Sequence, residues 1–239
     1  MCTLILAWRV LDDAPIAVAA NRDERLGRPS TGPAVRDGPP RYLAPRDEEA
    51  DGTWIGVNER GLFVGITNRR TDLVGERSRG QLVLDALSQP GTGAALSVVE
   101  RELAEREYAG FNLVLADAER AVLLAWDGVL RQTEFVPGVH VVVNEGHDES
   151  AAKSRRIRTA LVDQPDEPEG GTSTQTVADW WTRAKRVLRD HHVGACIHAD
   201  GYGTRSSSLV SVGADGAVHY EFADGPPCET DYRRVDGQL

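Results

Sequence analysis

The 239-residue sequence predicts a single α+β domain, residues 1–239, in which mostly antiparallel sheets pack against helices. Four segments each hold two short apolar runs separated by turn-forming residues, the pattern of a β-hairpin. They span residues 2–20, 54–67, 111–128 and 207–222. Apolar residues recur at helical spacing in four other segments, 78–87, 97–108, 151–162 and 176–191. This order of elements favours antiparallel sheets over a parallel, doubly wound sheet.

The charge of the chain limits which kinds of molecule it is expected to bind. The net charge is -10 and the isoelectric point is about 5.1, which argues against nucleic acid or an anionic membrane surface as the main partner. The sequence has no 18-residue apolar run and no signal-peptide pattern. We therefore expect a cytoplasmic protein without a membrane span that binds a small molecule. The sequence specifies no oligomeric state.

The first hairpin ends in a polar cluster that includes Asn21, Arg22 and Asp23. A hairpin of this length brings its two ends together, so we expect Cys2 to lie beside Asp23. Loss of Met1 would leave Cys2 with a thiol and a free α-amine.

These groups would give Cys2 a specific chemistry. The amine has an ordinary pKa of about 7.7 to 8.0 and the thiol one of about 8.5, so one residue could supply both nucleophile and base. Arg22 would favour the thiolate, and Asp23 would orient the α-ammonium. The alternative is that Cys2 is a small buried apolar residue of a first strand.

Two stretches at the start of the chain carry a family resemblance. MCTLILAW followed by AANRDE resembles the opening of the NRDE family, whose eukaryotic members are called transport and Golgi organisation proteins. SRGQLVLDAL and YGTRSSS also match, so the resemblance covers nearly the whole chain. The family is similar to N-terminal nucleophile hydrolases of the choloylglycine hydrolase and penicillin V acylase type. The resemblance implies a four-layer αββα sandwich, a cysteine nucleophile freed by loss of the preceding residue, and amide substrates.

The resemblance extends to three further site residues. Asn68 and Asn144 each follow a strand, where the resembled hydrolases place groups that form the oxyanion hole or contact the substrate. Either asparagine could equally be an ordinary turn residue. Arg205 lies where those hydrolases place an arginine near the nucleophile. We predict a pocket lined by Cys2, Asp23, Asn68, Asn144 and Arg205, with substrate contacts from Asn21, Trp54 and Arg69.

One position departs from the resembled pattern. The hydrolases carry Arg-Asn-x-Asp after the second strand, whereas this chain has Ala20-Asn21-Arg22-Asp23. Aligning Asp23 leaves Ala20 in place of the arginine. Arg22 would have to reach the thiol from the adjacent position, or Arg205 would have to substitute for it.

Three segments are predicted to be irregular. Residues 26–51 are rich in Pro, Gly, Arg and Asp, and a loop of this length is a candidate lid. Residues 164–174 predict a mobile loop, and the tail after Gly225 predicts a loose end.

For the basic residues and possible metal ligands outside the first hairpin, the sequence favours solvated or structural roles over binding sites. Lys153, Arg155, Arg156 and Arg158 favour a solvated helix face over a site for an anionic substrate group. Arg77 and Arg79 are likewise expected to be solvated. The spacing of His191, His192, Cys196 and His198 does not match a structural zinc site, so no metal and no cofactor is predicted. The three cysteines cannot form a disulfide framework and suit a reducing compartment.

Two function classes follow. The first is an N-terminal cysteine amidohydrolase or acyltransferase acting on a small amide or thioester. The second is a non-catalytic or weakly catalytic carrier of haem or of acyl-CoA and lipid, to which members of the resembled family have been linked. In the second class, haem would be a ligand rather than a cofactor.

Overall fold

The computed structural model describes residues 2–162, 175–237 and 239, which form two antiparallel sheets and four helices. The strands are β1 (Thr3–Trp8), β2 (Ile16–Arg25), β3 (Ser30–Arg36), β4 (Tyr42–Asp47), β5 (Ile55–Asn58), β6 (Phe63–Asn68), β7 (Phe111–Ala116), β8 (Ala121–Trp126), β9 (Leu130–Glu134), β10 (Gly138–Val143), β11 (Gly146–His147), β12 (His198–Ala199), β13 (Tyr202–Val212), β14 (Val218–Ala223) and β15 (Arg233–Arg234). The helices are α1 (Arg79–Leu87), α2 (Thr92–Glu105), α3 (Ala152–Val162) and α4 (Val177–Leu188).

Strand β1 occupies the middle of the first sheet. That sheet has the order β11, β10, β1, β2, β13, β14, β15, with β12 paired to β13. The second sheet is a meander that runs from β3 to β9 in chain order. Every strand pair in both sheets is antiparallel. Strand β1 therefore has a neighbouring strand on each side. A site at the start of β1 would be enclosed by these neighbours.

Alternation along β1 explains how the layers stack. Leu4 and Leu6 face the second sheet and join a core that includes Phe63. Ile5 faces the opposite way and packs in a second core with Trp180 of α4. A third core lies between the second sheet and helices α1 and α2. The layers are α3 with α4, first sheet, second sheet, and α1 with α2, so the predicted four-layer sandwich is confirmed.

An asparagine at the end of β5 docks helix α1 on the second sheet. The Nδ2 atom of Asn58 donates hydrogen bonds of 2.8 Å to the carbonyl oxygens of Leu87 and Gln89. Its Oδ1 accepts from the backbone amides of Arg60 and Leu62 at 3.0 and 3.1 Å. The side chain is fully buried, so one amide group satisfies both the helix C-terminus and the β5–β6 turn.

Replacing this asparagine should destabilise the fold. We expect Asn58→Ala to lower the free energy of unfolding by about 2 to 3 kcal/mol, because it leaves buried carbonyl and amide groups without partners. Urea denaturation of the purified protein measures the change. A loss below about 0.5 kcal/mol would show that these bonds do not hold the helix in place.

The segment 26–51 differs from its prediction. Instead of an irregular lid, it contains the hairpin of β3 and β4 at the edge of the second sheet, so this prediction was wrong. An edge strand tolerates proline and needs no apolar alternation. Pro33 lies where the register shifts between Thr31 and Ala34, and no side chain of β3 is buried. The hairpin thus lacks the pattern from which a strand is predicted.

Helix ends and the tail also differ in detail. Helix α2 starts at Thr92, earlier than predicted, and α4 ends at Leu188 rather than at residue 191. Strand β9 was not predicted. The tail is not loose, because β15 pairs with β14 and the Tyr232 hydroxyl lies 2.6 Å from Oγ of Ser207. The predicted loop 164–174 lies outside the described residues.

Among the described helices, none combines the length and the apolar composition needed to cross a bilayer.

Candidate functional site

Cys2 lies at the start of β1, between β2 and β10. The residue after it pairs with Asn21 of β2 and with Val143 of β10. Continuing this antiparallel register by one residue places Cys2 between Arg22 and Asn144. Two of the predicted site residues are therefore its neighbours across the sheet.

Asp23 lies against the cysteine and is itself buried. The Sγ atom of Cys2 is 3.8 Å from the carbonyl oxygen of Asp23, which also accepts a 2.9 Å hydrogen bond from the hydroxyl of Tyr202. The carboxyl of Asp23 accepts a 2.6 Å hydrogen bond from the hydroxyl of Thr204. Asp23 is 3% exposed. The expected proximity of Cys2 and Asp23 is confirmed, while their roles stay predictions.

Lys153 is a further ionisable group of this site, and it is buried like Asp23. It projects from α3 and is 5% exposed. Burial lowers the pKa of Lys153, and the charges of Asp23 and of a Cys2 thiolate oppose that shift. Assigning Lys153 to a solvated face was therefore wrong. A signal existed, because Lys153 is one of two lysines in the chain and lies four residues before Ile157, which is fully buried on the same helix face.

Burial governs the protonation of both acids. It raises the pKa of the Cys2 thiol, the Asp23 carboxylate raises that pKa further, and Lys153 lowers it. Burial also raises the pKa of the Asp23 carboxyl, against the attraction of Lys153. A thiol in this setting needs a base before it can act as a nucleophile.

The side chain of Arg22 reaches towards the second sheet. Its guanidinium lies 3.2 Å from the carboxylate of Asp47 and 4.0 Å above the ring of Trp54. A further hydrogen bond of 3.3 Å reaches the hydroxyl of Ser30. Burial lowers the pKa of Arg22, with Asp47 the strongest opposing charge and Cys2 a weaker one. Arg22 and Trp54 therefore join the β3–β4 hairpin to the site, and their predicted contacts with thiolate and substrate stay untested.

Arg79, the first residue of α1, was missed. It donates a 2.7 Å hydrogen bond to the carbonyl oxygen of Gly110, and burial lowers its pKa against the negative charge of a Cys2 thiolate. Its neighbour Arg77 pairs with Asp85 and Glu102 between α1 and α2. The expectation that both arginines are merely solvated was wrong.

A polar cluster ties the ends of the two sheets together beside the cysteine. The Nδ2 atom of Asn112, a fully buried residue of β7, donates to the carbonyl oxygens of Val143 at 2.9 Å and Asn144 at 3.3 Å. The hydroxyl of Thr67 donates to the same Val143 oxygen at 3.3 Å. Asn68, the next residue of β6, is thus held at the end of the sandwich that carries Asn144. The Oδ1 atom of Asn144 is buried, and no described residue donates a hydrogen bond to it.

Arg205 occupies an irregularity in β13. The pairing of β13 with β2 shifts register between Thr204 and Ser206, which leaves Arg205 as the extra residue opposite Arg22 and Asp23. Its Nε atom is buried without a hydrogen-bond partner among the described residues. Bulges of this kind re-aim a side chain and are common next to functional sites.

Most of the chain matches a known family. A family model described as Transport and Golgi organisation 2 matches residues 1–222. The chain belongs to the Transport and Golgi organisation 2 family. A Bos taurus protein, Transport and Golgi organization protein 2 homolog, is 27% identical over 233 residues, covering 86% of this chain and 84% of the bovine protein. The Homo sapiens homolog is 26% identical over 235 residues, with the same shares covered.

Solved structures share the architecture of this family member. A variant of conjugated bile acid hydrolase from Clostridium perfringens superposes with a TM-score of 0.53 at 10% identity, over 99% of this chain and 97% of that one. The Caenorhabditis elegans ortholog of N-acylethanolamine-hydrolyzing acid amidase gives a TM-score of 0.53 at 13% identity, over 87% of this chain and 92% of that one. At these identities the likeness concerns the fold alone.

Asn21 and Arg69, which were predicted to contact a substrate, both bind other residues of the protein. Asn21 donates both amide protons, to the carbonyl oxygens of Leu188 at 2.9 Å and Ala195 at 2.8 Å, and so docks α4 as Asn58 docks α1. Arg69 forms an ion pair of 3.2 Å with Asp127. Whether Asn21 or Arg69 also meets a substrate stays a prediction.

Proposed function

We propose that this member of the family is an N-terminal cysteine amidohydrolase or acyltransferase that acts on a small amide or thioester. The observation that carries the proposal is that the half-buried Cys2 lies with the buried Asp23 and Lys153 at the end of an interior strand. Burying ionisable groups costs free energy, and groups with shifted pKa values concentrate at sites of chemistry. The two solved structures of the same fold support it, since one is named a hydrolase and the other an acid amidase.

The proposed reaction begins with removal of Met1. The free α-amine of Cys2 takes the proton of its own thiol, and the thiolate attacks the carbonyl carbon of the substrate. The ammonium then gives its proton to the leaving nitrogen or sulfur, which departs and leaves an acyl thioester on Cys2. Water in a hydrolase, or an acceptor nucleophile in a transferase, loses a proton to the same amine and releases the acyl group.

The surrounding residues would support these steps. Asp23 would hold the α-ammonium by a charge-assisted hydrogen bond, and Lys153 would keep that carboxyl ionised despite its burial. The side-chain amides of Asn144 and Asn68 are the proposed donors to the oxyanion, where losing one donor costs on the order of 100- to 1000-fold in rate. Arg79 would stabilise the thiolate from the start of α1.

Acyl transfer to Cys2 tests this function directly. Two matched proteins are prepared by cleaving a tag, one beginning at Cys2 and one with a single residue ahead of it. Each is mixed with an activated short-chain acyl thioester, and the adduct is located by peptide mass spectrometry. We expect a stoichiometric adduct on Cys2 in the first protein alone.

Equal labelling of the two proteins would contradict the proposal. If both proteins acylate Cys2 at the same slow rate, the α-amine plays no part and the amidohydrolase proposal fails. Binding of haem or of acyl-CoA that is equal in the two proteins, without turnover, would then favour the carrier function.

A further inference from the structure

A cluster of four ligand-type side chains lies apart from the cysteine site. His191, Cys196 and His198 come from the connection between α4 and β13, and Cys228 comes from the segment after β14. One potential ligand atom from each lies within 4.8 Å of all the others. Cys196 is buried and Cys228 is half-buried, while the two histidines are exposed.

Three ligand separations in this cluster, from 3.1 to 3.8 Å, lie close to those of a tetrahedral metal centre. The Sγ atoms of Cys196 and Cys228 are 3.5 Å apart. The Nε2 atom of His198 is 3.8 Å from the first sulfur and 3.1 Å from the second. Zinc bonds of about 2.3 Å to sulfur and about 2.0 to 2.1 Å to nitrogen give ligand separations of about 3.4 to 3.8 Å in a tetrahedron. The sulfur separation is too long for a disulfide bond of about 2.05 Å.

One of the two imidazoles, that of His191, is held for ligation by a hydrogen bond at its second nitrogen. The Nδ1 atom of His191 is 3.2 Å from the carbonyl oxygen of Cys196, which leaves its Nε2 with a free lone pair. The Nδ1 atom of His198 is 4.0 Å from the carboxylate of Glu229. A carbonyl partner such as that of His191 orients histidine ligands in metal sites, whereas Glu229 lies beyond hydrogen-bond distance of His198.

The loop that carries three of the groups is itself ordered by Asp190. Its carboxylate accepts the backbone amides of His192 at 2.6 Å and Val193 at 3.1 Å. Its carbonyl oxygen accepts the amide of Cys196 at 3.1 Å. Gly194 turns the chain with φ of 76°, a conformation in which other residues are strained. The loop's own hydrogen bonds therefore position three of the four groups.

We propose that His191, Cys196, His198 and Cys228 form a structural site for one Zn²⁺ ion. Two thiolates with two imidazoles suit zinc, and four protein ligands close the coordination sphere, as in structural rather than catalytic sites. The proposal replaces the expectation of no metal, which considered the first three residues with His192 and did not include the distant Cys228. It stands independently of the amidohydrolase function.

A metal ion at this site would stabilise the strands next to Cys2. Between the ligands, the carbonyl oxygen of Ala195 accepts the side chain of Asn21 at 2.8 Å. Ile197 exchanges hydrogen bonds with Thr204, its amide donating to the hydroxyl at 2.9 Å and its carbonyl accepting the Thr204 amide at 2.8 Å. That hydroxyl holds the carboxyl of Asp23. Zinc would thus tie the C-terminal segment to the strands that carry Asp23.

Metal analysis of the reduced protein tests the site. The protein is reduced, freed of metal and reductant under anaerobic conditions, and titrated with Zn²⁺ against a chromophoric chelator. We expect one Zn²⁺ per chain, with binding more than about 100-fold weaker in Cys228→Ser and His198→Ala, since losing a group that only hydrogen-bonds to a ligand already costs about 10- to 100-fold. His192→Ala is the matched histidine control and Cys2→Ser the matched cysteine control, and both should bind zinc like the wild type.

Cobalt keeps the test decisive if the ligand variants do not fold. Co²⁺ bound to the wild type should give the intense visible bands and the thiolate charge-transfer band of a tetrahedral sulfur-ligated ion, and Zn²⁺ should displace it. The proposal is overturned if the reduced wild type binds no zinc at micromolar concentration, if Co²⁺ shows only a weak octahedral spectrum, or if folded Cys228→Ser binds zinc like the wild type. A Cys196–Cys228 disulfide with no zinc binding after reduction overturns it as well.

Discussion

Changing Cys2 to Ser should reduce turnover of an activated thioester or amide by at least about 1000-fold, with the free energy of unfolding within about 1 kcal/mol of the wild type. Serine is nearly isosteric with cysteine, so packing at the start of β1 is kept. A hydroxyl is far less acidic than a thiol, and the buried setting that raises the pKa of Cys2 also disfavours an alkoxide. Steady-state kinetics and urea denaturation on one preparation measure the two quantities.

Thr3→Val is the matched control for this change. Thr3 follows Cys2 on β1 and is buried, and its hydroxyl has no hydrogen-bond partner among the described residues. Valine keeps the shape, so turnover should stay within about 3-fold of the wild type. If Thr3→Val and Cys2→Ser lose turnover equally, the effect belongs to the strand and not to the thiol.

The first strand pair shows why much of the fold could be predicted. Its apolar runs alternate with the sheet faces, and a short break at Asp12 and Asp13 fixes which residues pair. Local pattern alone therefore places Cys2 beside Asp23. The strand ends at Asn68 and Asn144 are visible for the same reason, because a buried strand that stops in a polar residue is a local signal.

The residues that were missed depend on contacts distant in sequence. Lys153 belongs to the site because α3 packs on β10, and no pattern within α3 says which strand it covers. Asn112 lies inside an apolar strand and gains its role from carbonyl groups 31 and 32 residues away. Cys228 meets Cys196 across 32 residues. Helical spacing can show that Lys153 is buried, but the groups that these residues meet follow from the topology and leave no periodic trace in the sequence.

The proposed role of Lys153 accounts for how Asp23 can stay charged where it lies. Burial raises the pKa of Asp23, so the folded protein holds that proton to a higher pH than the unfolded chain does. Stability is therefore lost as the pH rises from the ordinary value of 3.8 through the folded pKa. Lys153 limits this loss, because its charge lowers the pKa of Asp23. The cost of burying Lys153 itself is present at every pH below its lowered pKa.

Lys153→Met should consequently lower the stability of the protein at neutral pH but not at acidic pH. At pH 7 we expect the variant to be about 3 kcal/mol less stable than the wild type, because a buried carboxylate has lost its counter-charge. As the pH falls below the raised pKa of Asp23, that carboxyl becomes neutral in the folded variant and the buried ammonium is gone, so the variant should equal or exceed the wild type. Urea denaturation between pH 4 and pH 8 measures the difference.

Two further variants separate this electrostatic effect from packing. Adding Asp23→Asn to Lys153→Met should restore most of the stability lost at pH 7 and remove its dependence on pH, since no buried charge is left unpaired. Lys185→Met changes the other lysine, which forms a partly exposed ion pair of 2.7 Å with Glu221, and should cost no more than about 1 kcal/mol. A loss in Lys153→Met that is the same at pH 4 and pH 7 would mean that Lys153 acts through packing, and the charge coupling to Asp23 would have to be abandoned.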